Sequence, residues 1–308
     1  MSKNVFLSFD IEVVVSKRSK NLDAMITVVA GALEIARLLD ERQLKATFFI
    51  SLSAKDPAVN RKDYLSKVRL LIKSLQAFDN IDIQPHLHAF DLPVSFVCPS
   101  DDFSDYNQSQ QVEMLLWAKE FLNSCGVNPS GFRPGGYKAG ENYYQALKQA
   151  GYHYSSTMDK SATPDIDLIT KQAEIGSVCH EMEGVNEFNV TSVKVKSVKP
   201  GVTDIVNLSP DFFTINSVKP YFNQLDALNI NFHSFSMFSN RLARENHRHQ
   251  ISSNLNYMLI EKPLRKLNLL FGLNVYSEHT VFSKELTSWL DELAYSQYTT
   301  LFYSEYQK

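Results

Sequence analysis

Cysteine is scarce: three residues in 308, Cys98, Cys125 and Cys179, odd in number and irregularly spaced. That excludes a disulfide scaffold and leaves each thiol as a buried or incidental group. Long apolar runs are missing too, and no stretch approaches the roughly 18 consecutive apolar residues of a membrane-spanning helix. The N-terminus has no positive region followed by an apolar core, the mark of a secretion signal. Charge of one sign is not in excess, with 31 Lys and Arg against 34 Asp and Glu for a formal net charge of −3. That balance argues against a general nucleic-acid binder. Lys17-Arg18-Ser19-Lys20 is too short for a polybasic anchor and reads as a solvated loop. No internal repeat or low-complexity segment stands out. The expectation is a soluble, cytoplasmic protein with no integral membrane segment and no nucleic-acid partner.

What is present is a strand–helix alternation with ample core-forming material, 44% hydrophobic residues. Strands are expected at 5–9, 46–51, around 81–83, before Arg133 and from Ile230 to the terminating His233. Helices are expected at about 25–43, 61–78, 108–124, 141–150 and 217–228, the fourth ending at Gly151, a good C-cap position. Residues 160–215 differ: valines among lysines and threonines, with Pro200-Gly201 as a turn, predict short strands or a hairpin covering the main body. Pro99 to Asn107 reads as an exposed, mobile segment; its Asp101, Asp102 and Asp105 fit no calcium loop. This order implies a mostly parallel α/β sheet. We read residues 1–308 as one domain with a β-rich insertion at about 160–215.

Chemistry-bearing residues sit where the apolar strands end. Val5–Phe9 runs into Asp10-Ile11-Glu12, and carboxylates at i and i+2 of a strand share a face. His86 and His88 repeat that spacing after Ile81-Asp82-Ile83. Glu12, His86 and His88 together make a three-ligand set with open positions, suited to catalytic zinc or to non-haem iron(II). Arg133 lies in Gly131-Phe132-Arg133-Pro134-Gly135-Gly136-Tyr137, whose glycines permit positive φ and close backbone approach. His233 ends the run Ile230-Asn231-Phe232. A second His-x-His, His247 and His249, lies in an Arg-rich stretch and reads as a basic patch; His279 has no assigned role.

The ordered series Phe9-Asp10-Ile11-Glu12, Ala46-Thr47-Phe48-Phe49-Ile50, His86-Leu87-His88, Phe132-Arg133 through Tyr137, and Phe232-His233-Ser234 resembles the NodB-homology polysaccharide deacetylases, over roughly residues 4 to 240. It departs from the commonest family form in three ways. Ile11 separates the two acids, the histidines are spaced H-x-H rather than H-x-x-x-H, and Gly135 and Gly136 intervene before the aromatic residue. The pattern is more similar to the divergent branch associated with bacterial surface polysaccharides.

The resemblance implies a distorted, incomplete (β/α) barrel and a metal-dependent hydrolase. Such an enzyme removes an N-acetyl group from an amino sugar in a polysaccharide, oligosaccharide, nucleotide-sugar or lipid-linked precursor. It implies Glu12, His86 and His88 as ligands of a divalent ion, zinc first, with cobalt, iron, manganese or nickel as alternatives. It implies Asp10 as general base, Arg133 as its orienting partner, His233 as the acid for the leaving amine, and the Tyr137 backbone N–H as an oxyanion donor. The family's aspartate that pairs with the catalytic histidine has Asp159 as its nearest candidate. Deformylation of an N-formyl sugar is chemically adjacent. A catalytically silent relative that binds a carbohydrate or a partner is the rival reading; retention of Asp10, Arg133 and His233 argues against it.

Overall fold

The computed structural model describes residues 3–12, 23–53, 60–157, 165–174, 176–196, 201–210, 212–234 and 281–306. Among them, β1 (Lys3–Ile11), β2 (Ala46–Ser51), β3 (Ile81–Leu87), β4 (Gly131–Pro134), β5 (Tyr154–Ser155) and β12 (Ala227–His233) form a parallel sheet. Between these strands lie α1 (Asp23–Asp40), α2 (Arg61–Leu75), α3 (Gln108–Asn123), α4 (Tyr143–Gln149) and α5 (Ile215–Phe222). The hairpin β8 (Cys179–Met182) and β9 (Val185–Phe188) extends the sheet through a parallel β5–β9 pair. The strand order is β12-β1-β2-β3-β4-β5-β9-β8, and β13 (Tyr298–Thr300), which follows α6 (Val281–Tyr295), pairs with the start of β1. Four other strands make a second sheet in the order β11-β10-β6-β7: β6 (Asp165–Asp167), β7 (Gln172–Glu174), β10 (Ser192–Lys196) and β11 (Thr203–Asn207).

The main sheet is a distorted, incomplete (β/α) barrel, as the sequence predicts. Between β9 and β12 there is no ladder. The gap is spanned by isolated bonds: Thr191 N–H to Asn229 O at 2.9 Å, Asn231 N–H to Leu208 O at 3.3 Å and the Asn229 amide to Phe188 O at 3.2 Å.

Strand alternation sorts the side chains into two cores. Val5, Leu7, Phe9, Ile11, Phe48, Ile50, Leu228, Ile230 and Phe232 face the helices and join the main apolar cluster with Leu71, Ile72, Leu115 and Trp289. The opposite parity faces the barrel interior, where Phe6, Phe49, Tyr154, Phe188 and Tyr303 pack together. Along that face β1 and the residue after it read Phe6, Ser8, Asp10, Glu12 and β12 reads Ala227, Asn229, Asn231, His233, in register Ser8↔Asn231 and Asp10↔His233. Along these two strands the interior face thus passes from apolar at the starts to charged at the C-terminal ends, where α/β barrels carry their chemistry.

Local signals set the helix ends. Asn60 caps α2 by accepting from Lys62 and Asp63 N–H, and Asn107 forms a capping box with Gln110 at α3. Gly151, at φ +74°, closes α4 as expected, with Tyr152 N–H bonded to Leu147 O. Two expectations need correction. The helix expected at 217–228 is α5, ending at Phe222, because Ala227 and Leu228 are drawn into the ladder with β1. Residues 99–107 are exposed at Pro99, Asp101, Asp105 and Asn107 as expected, but the segment is anchored: Phe103 is fully buried against Phe132 and Tyr143, and the Tyr106 hydroxyl is bonded to Ser100 O at 2.6 Å. Asp159, His247, His249 and His279 lie outside the described residues.

Candidate active site

Six of the predicted residues converge at the C-terminal rim of β1, β3, β4 and β12. Glu12, His86 and His88 form one half. Their donor atoms all lie within 4.8 Å of one another, and all three side chains are buried. Glu12 Oε2 is 3.6 Å from His86 Nε2 and 3.2 Å from His88 Nε2. Each imidazole is turned by a bond at its other nitrogen. His86 Nδ1–H donates to Arg133 O at 3.0 Å, and His88 Nδ1–H faces both Asp101 oxygens at 3.1 Å. Donation at Nδ1 leaves the Nε2 lone pairs directed at Glu12, the disposition a ligating histidine needs. Burial pushes His86 below the usual histidine range, against the pull of Glu12 and Asp10, favouring the neutral imidazole. Gly135 is required here, since a Cβ would lie 2.4 Å from His88 Nδ1.

The other half surrounds Asp10. Arg133, fully buried, donates Nη1–H to Asp10 Oδ1 at 2.5 Å and to Asn231 Oδ1 at 2.7 Å. Its Nη2 donates to Ser8 and Ser156 Oγ, both at 2.8 Å, while the guanidinium lies 4.0 Å over the Phe49 ring. Asp10 Oδ2 accepts from the Tyr137 hydroxyl and the Asn231 amide, each at 3.3 Å. Burial raises the Asp10 pKa, but Arg133, with His86 and His233, outweighs it and holds the carboxyl below its ordinary value. Burial opposes the Arg133 charge, and Asp10 more than restores it. His233 Nε2 stands 3.7 Å from Asp10 Oδ2 and 3.8 Å from Glu12 Oε1, its side chain 20% exposed against 3% for Asp10. His233 is the most exposed side chain of the six.

The structure brings Tyr137 to the site through its hydroxyl, which also accepts from Asn207 of the second sheet at 3.3 Å and from Asn231. Gly136 and Tyr137, at φ +64° and +61°, make the turn that aims it. Residues missed in the sequence are Ser8, Ser156, Asn231, Asp101 and Tyr303. Asn231 had a usable signal: two positions before His233, it must share that histidine's face.

No protein-family model matches the sequence, and no curated protein matches it. Solved structures do align with it, and several are polysaccharide deacetylases or carbohydrate esterases. A protein from Mycobacterium smegmatis described as a polysaccharide deacetylase aligns at a TM-score of 0.48 and 13% identity, over 87% of this chain and 92% of that one. A family 4 carbohydrate esterase from Streptomyces lividans, in complex with acetate, aligns at 0.41 and 12%, over 82% and 88%. A protein from Bordetella bronchiseptica described as a polysaccharide deacetylase involved in O-antigen biosynthesis aligns at 0.41 and 11%, over 92% and 89%.

Proposed function

We propose that this protein is a metal-dependent amide hydrolase that removes an N-acyl group, acetyl first, from an amino sugar. The observation that supports it best is the pairing of a Glu-His-His donor set, both imidazoles already turned by their Nδ1 bonds, with an ionised aspartate two residues from the donor glutamate. Glu12, His86 and His88 would hold the ion. A divalent ion supplies Lewis acidity there, polarising a carbonyl and lowering the pKa of a water to about 7.

The chain's own groups supply the rest. Asp10, held ionised by Arg133, takes the water's proton on Oδ2 as the oxygen adds to the acyl carbon. The Tyr137 hydroxyl and the Asn231 amide keep that oxygen facing the reacting centre. His233 Nε2 gives a proton to the departing nitrogen as the C–N bond breaks, so the products are a carboxylate and a free amine. The sugar is supported by the motif resemblance, the amide chemistry by this geometry. No described helix is long and apolar enough to cross a membrane.

Elemental analysis of the purified protein and of a Glu12→Ala/His88→Ala variant tests the reading. About one divalent ion per chain, absent from the variant, together with acetate release from N-acetyl amino sugars that Asp10→Asn abolishes, is expected. Absence of a bound ion after incubation with zinc, cobalt or iron would sink it.

A further inference from the structure

The two histidines are oriented by different means. His86 lies within β3, in register with Arg133 of β4, and its Nδ1–H is received by that residue's main-chain oxygen. The sheet alone fixes it. His88 stands one residue past the end of β3 at Leu87, where no ladder partner is available. Its Nδ1–H is received instead by the Asp101 carboxylate, at 3.1 Å to both oxygens, from a loop thirteen residues downstream.

That loop is built to hold the carboxylate there. Ala89 N–H donates to Asp101 O at 3.1 Å, joining the two ends directly beside His88. Ser100 N–H donates to the Tyr106 hydroxyl at 3.1 Å, and that hydroxyl donates back to Ser100 O at 2.6 Å. Phe103 anchors the loop in the main core, and Asp102 pairs with Lys138 beyond the Gly135–Tyr137 turn.

We infer that Asp101 is the positioning residue for His88, and that it makes the close His-x-His spacing serviceable for metal binding. This rests on the hydrolase reading above. Packing against Gly135 and edge-on to His86 confines the His88 ring without choosing its flip or tautomer, and that remaining freedom would oppose coordination. A carboxylate on Nδ1 removes that freedom, selects the tautomer with its lone pair on Nε2, and makes that nitrogen a better donor.

The test is metal affinity, measured with zinc by chelator competition and with cobalt by its visible absorption. Asp101→Ala and Asp101→Asn are compared with the native protein and with Asp102→Asn, which alters the same loop without touching a ligand. Replacing such an orienting partner weakens metal binding by about 10–100-fold. We expect that loss in Asp101→Ala, a smaller one in Asp101→Asn, and a weakened cobalt band in both at saturating metal. Asp102→Asn stays within about twofold, and circular dichroism of the metal-free variants reports their fold. Native-like affinity and spectrum in both Asp101 variants would overturn the inference while leaving the hydrolase reading intact. An equal loss in Asp102→Asn would also overturn it, since the effect would then belong to the loop. Failure of the native protein to bind either ion overturns the hydrolase reading itself.

Discussion

Asp10 and Glu187 are carboxylates of one sheet, 2% and 0% exposed, and their surroundings drive them in opposite directions. Around Glu187, on β9, every partner is neutral: Thr157 donates its N–H at 2.6 Å and its hydroxyl at 2.9 Å, and the Tyr144 hydroxyl donates at 3.2 Å. Burial wins there and lifts the Glu187 pKa above its ordinary value despite those bonds. Around Asp10 the donors are as numerous, but one is a guanidinium, and the pKa moves down. Neutral hydrogen bonds solvate a buried carboxylate only partly; a paired cation is what keeps it charged. Among the described residues that cation stands at the rim of the strands beside Asp10, while the donors to Glu187 are neutral, so ionisation is a local property of the candidate site.

Breaking the contrast at Arg133 has the largest expected effect. Arg133→Ala leaves Asp10 buried without its counter-charge and strips bonds from Asn231, Ser8 and Ser156. A loss of about 3–5 kcal/mol in denaturant unfolding is expected. Arg133→Lys should recover little, because one ammonium cannot span partners that the planar fork reaches together. A variant as stable as the native protein would show that Asp10 needs no cation.

Asn231→Ala sharpens the comparison from the neutral side. It removes the amide that bridges Arg133, Asp10 and Tyr137, for about 1–3 kcal/mol. Deacylation should slow while metal content stays at the native level, because the ligand half shares no bond with this residue. Loss of metal would mean that the two halves are not separable.

Glu187→Gln has the smallest effect, about 1 kcal/mol or less at neutral pH, and its sign is the point. A carboxyl whose folded pKa is raised contributes stability that is present below its unfolded pKa, about 4.3, and lost as pH rises through the folded value. The variant lacks this titration, so its stability relative to the native protein should rise between pH 4 and pH 7. Urea unfolding across that range measures it. A variant whose stability relative to the native protein falls with rising pH would mean that Glu187 is held charged.

Much of this site was legible because strands report their own geometry. Residues at i and i+2 share a face, so Asp10 with Glu12 and His86 with His88 announce themselves, and the apolar runs before them place both pairs at strand ends. The parity rule extends to Asn231, but asparagine has too many ordinary uses to stand out without its neighbours. Ser8, Ser156 and Tyr303 were illegible for a different reason. Each matters only through Arg133 or its network, and no spacing in the chain reveals which residues a distant guanidinium will reach. The anchoring of the Asp101 segment was illegible because a polar, acidic run looks solvated from its composition, as the half-exposed Asp101 side chain indeed is. What orders it is Phe103 sinking into a core contributed by β4 and α4, a tertiary fact. The helix at 217–228 failed similarly, since the claim of β1 on Ala227 and Leu228 comes from the other end of the chain.

That last pairing has a consequence for how the protein is made. Asp10 precedes Arg133 by 123 residues and Asn231 by 221. At ribosomal speeds of about 5–20 residues per second, Asp10 waits roughly 10–45 s for the last of these partners. β2 can cover one edge of β1 early, and Arg133 arrives next, but the edge that receives β12 stays open until Ala227–His233 are made. An unpaired parallel strand as apolar as Val5–Phe9 is a sticky surface for that whole interval. The nascent chain therefore carries a hazard of misassociation on the strand that bears Asp10, and a holdase that shields residues 3–11 would protect yield and candidate site together.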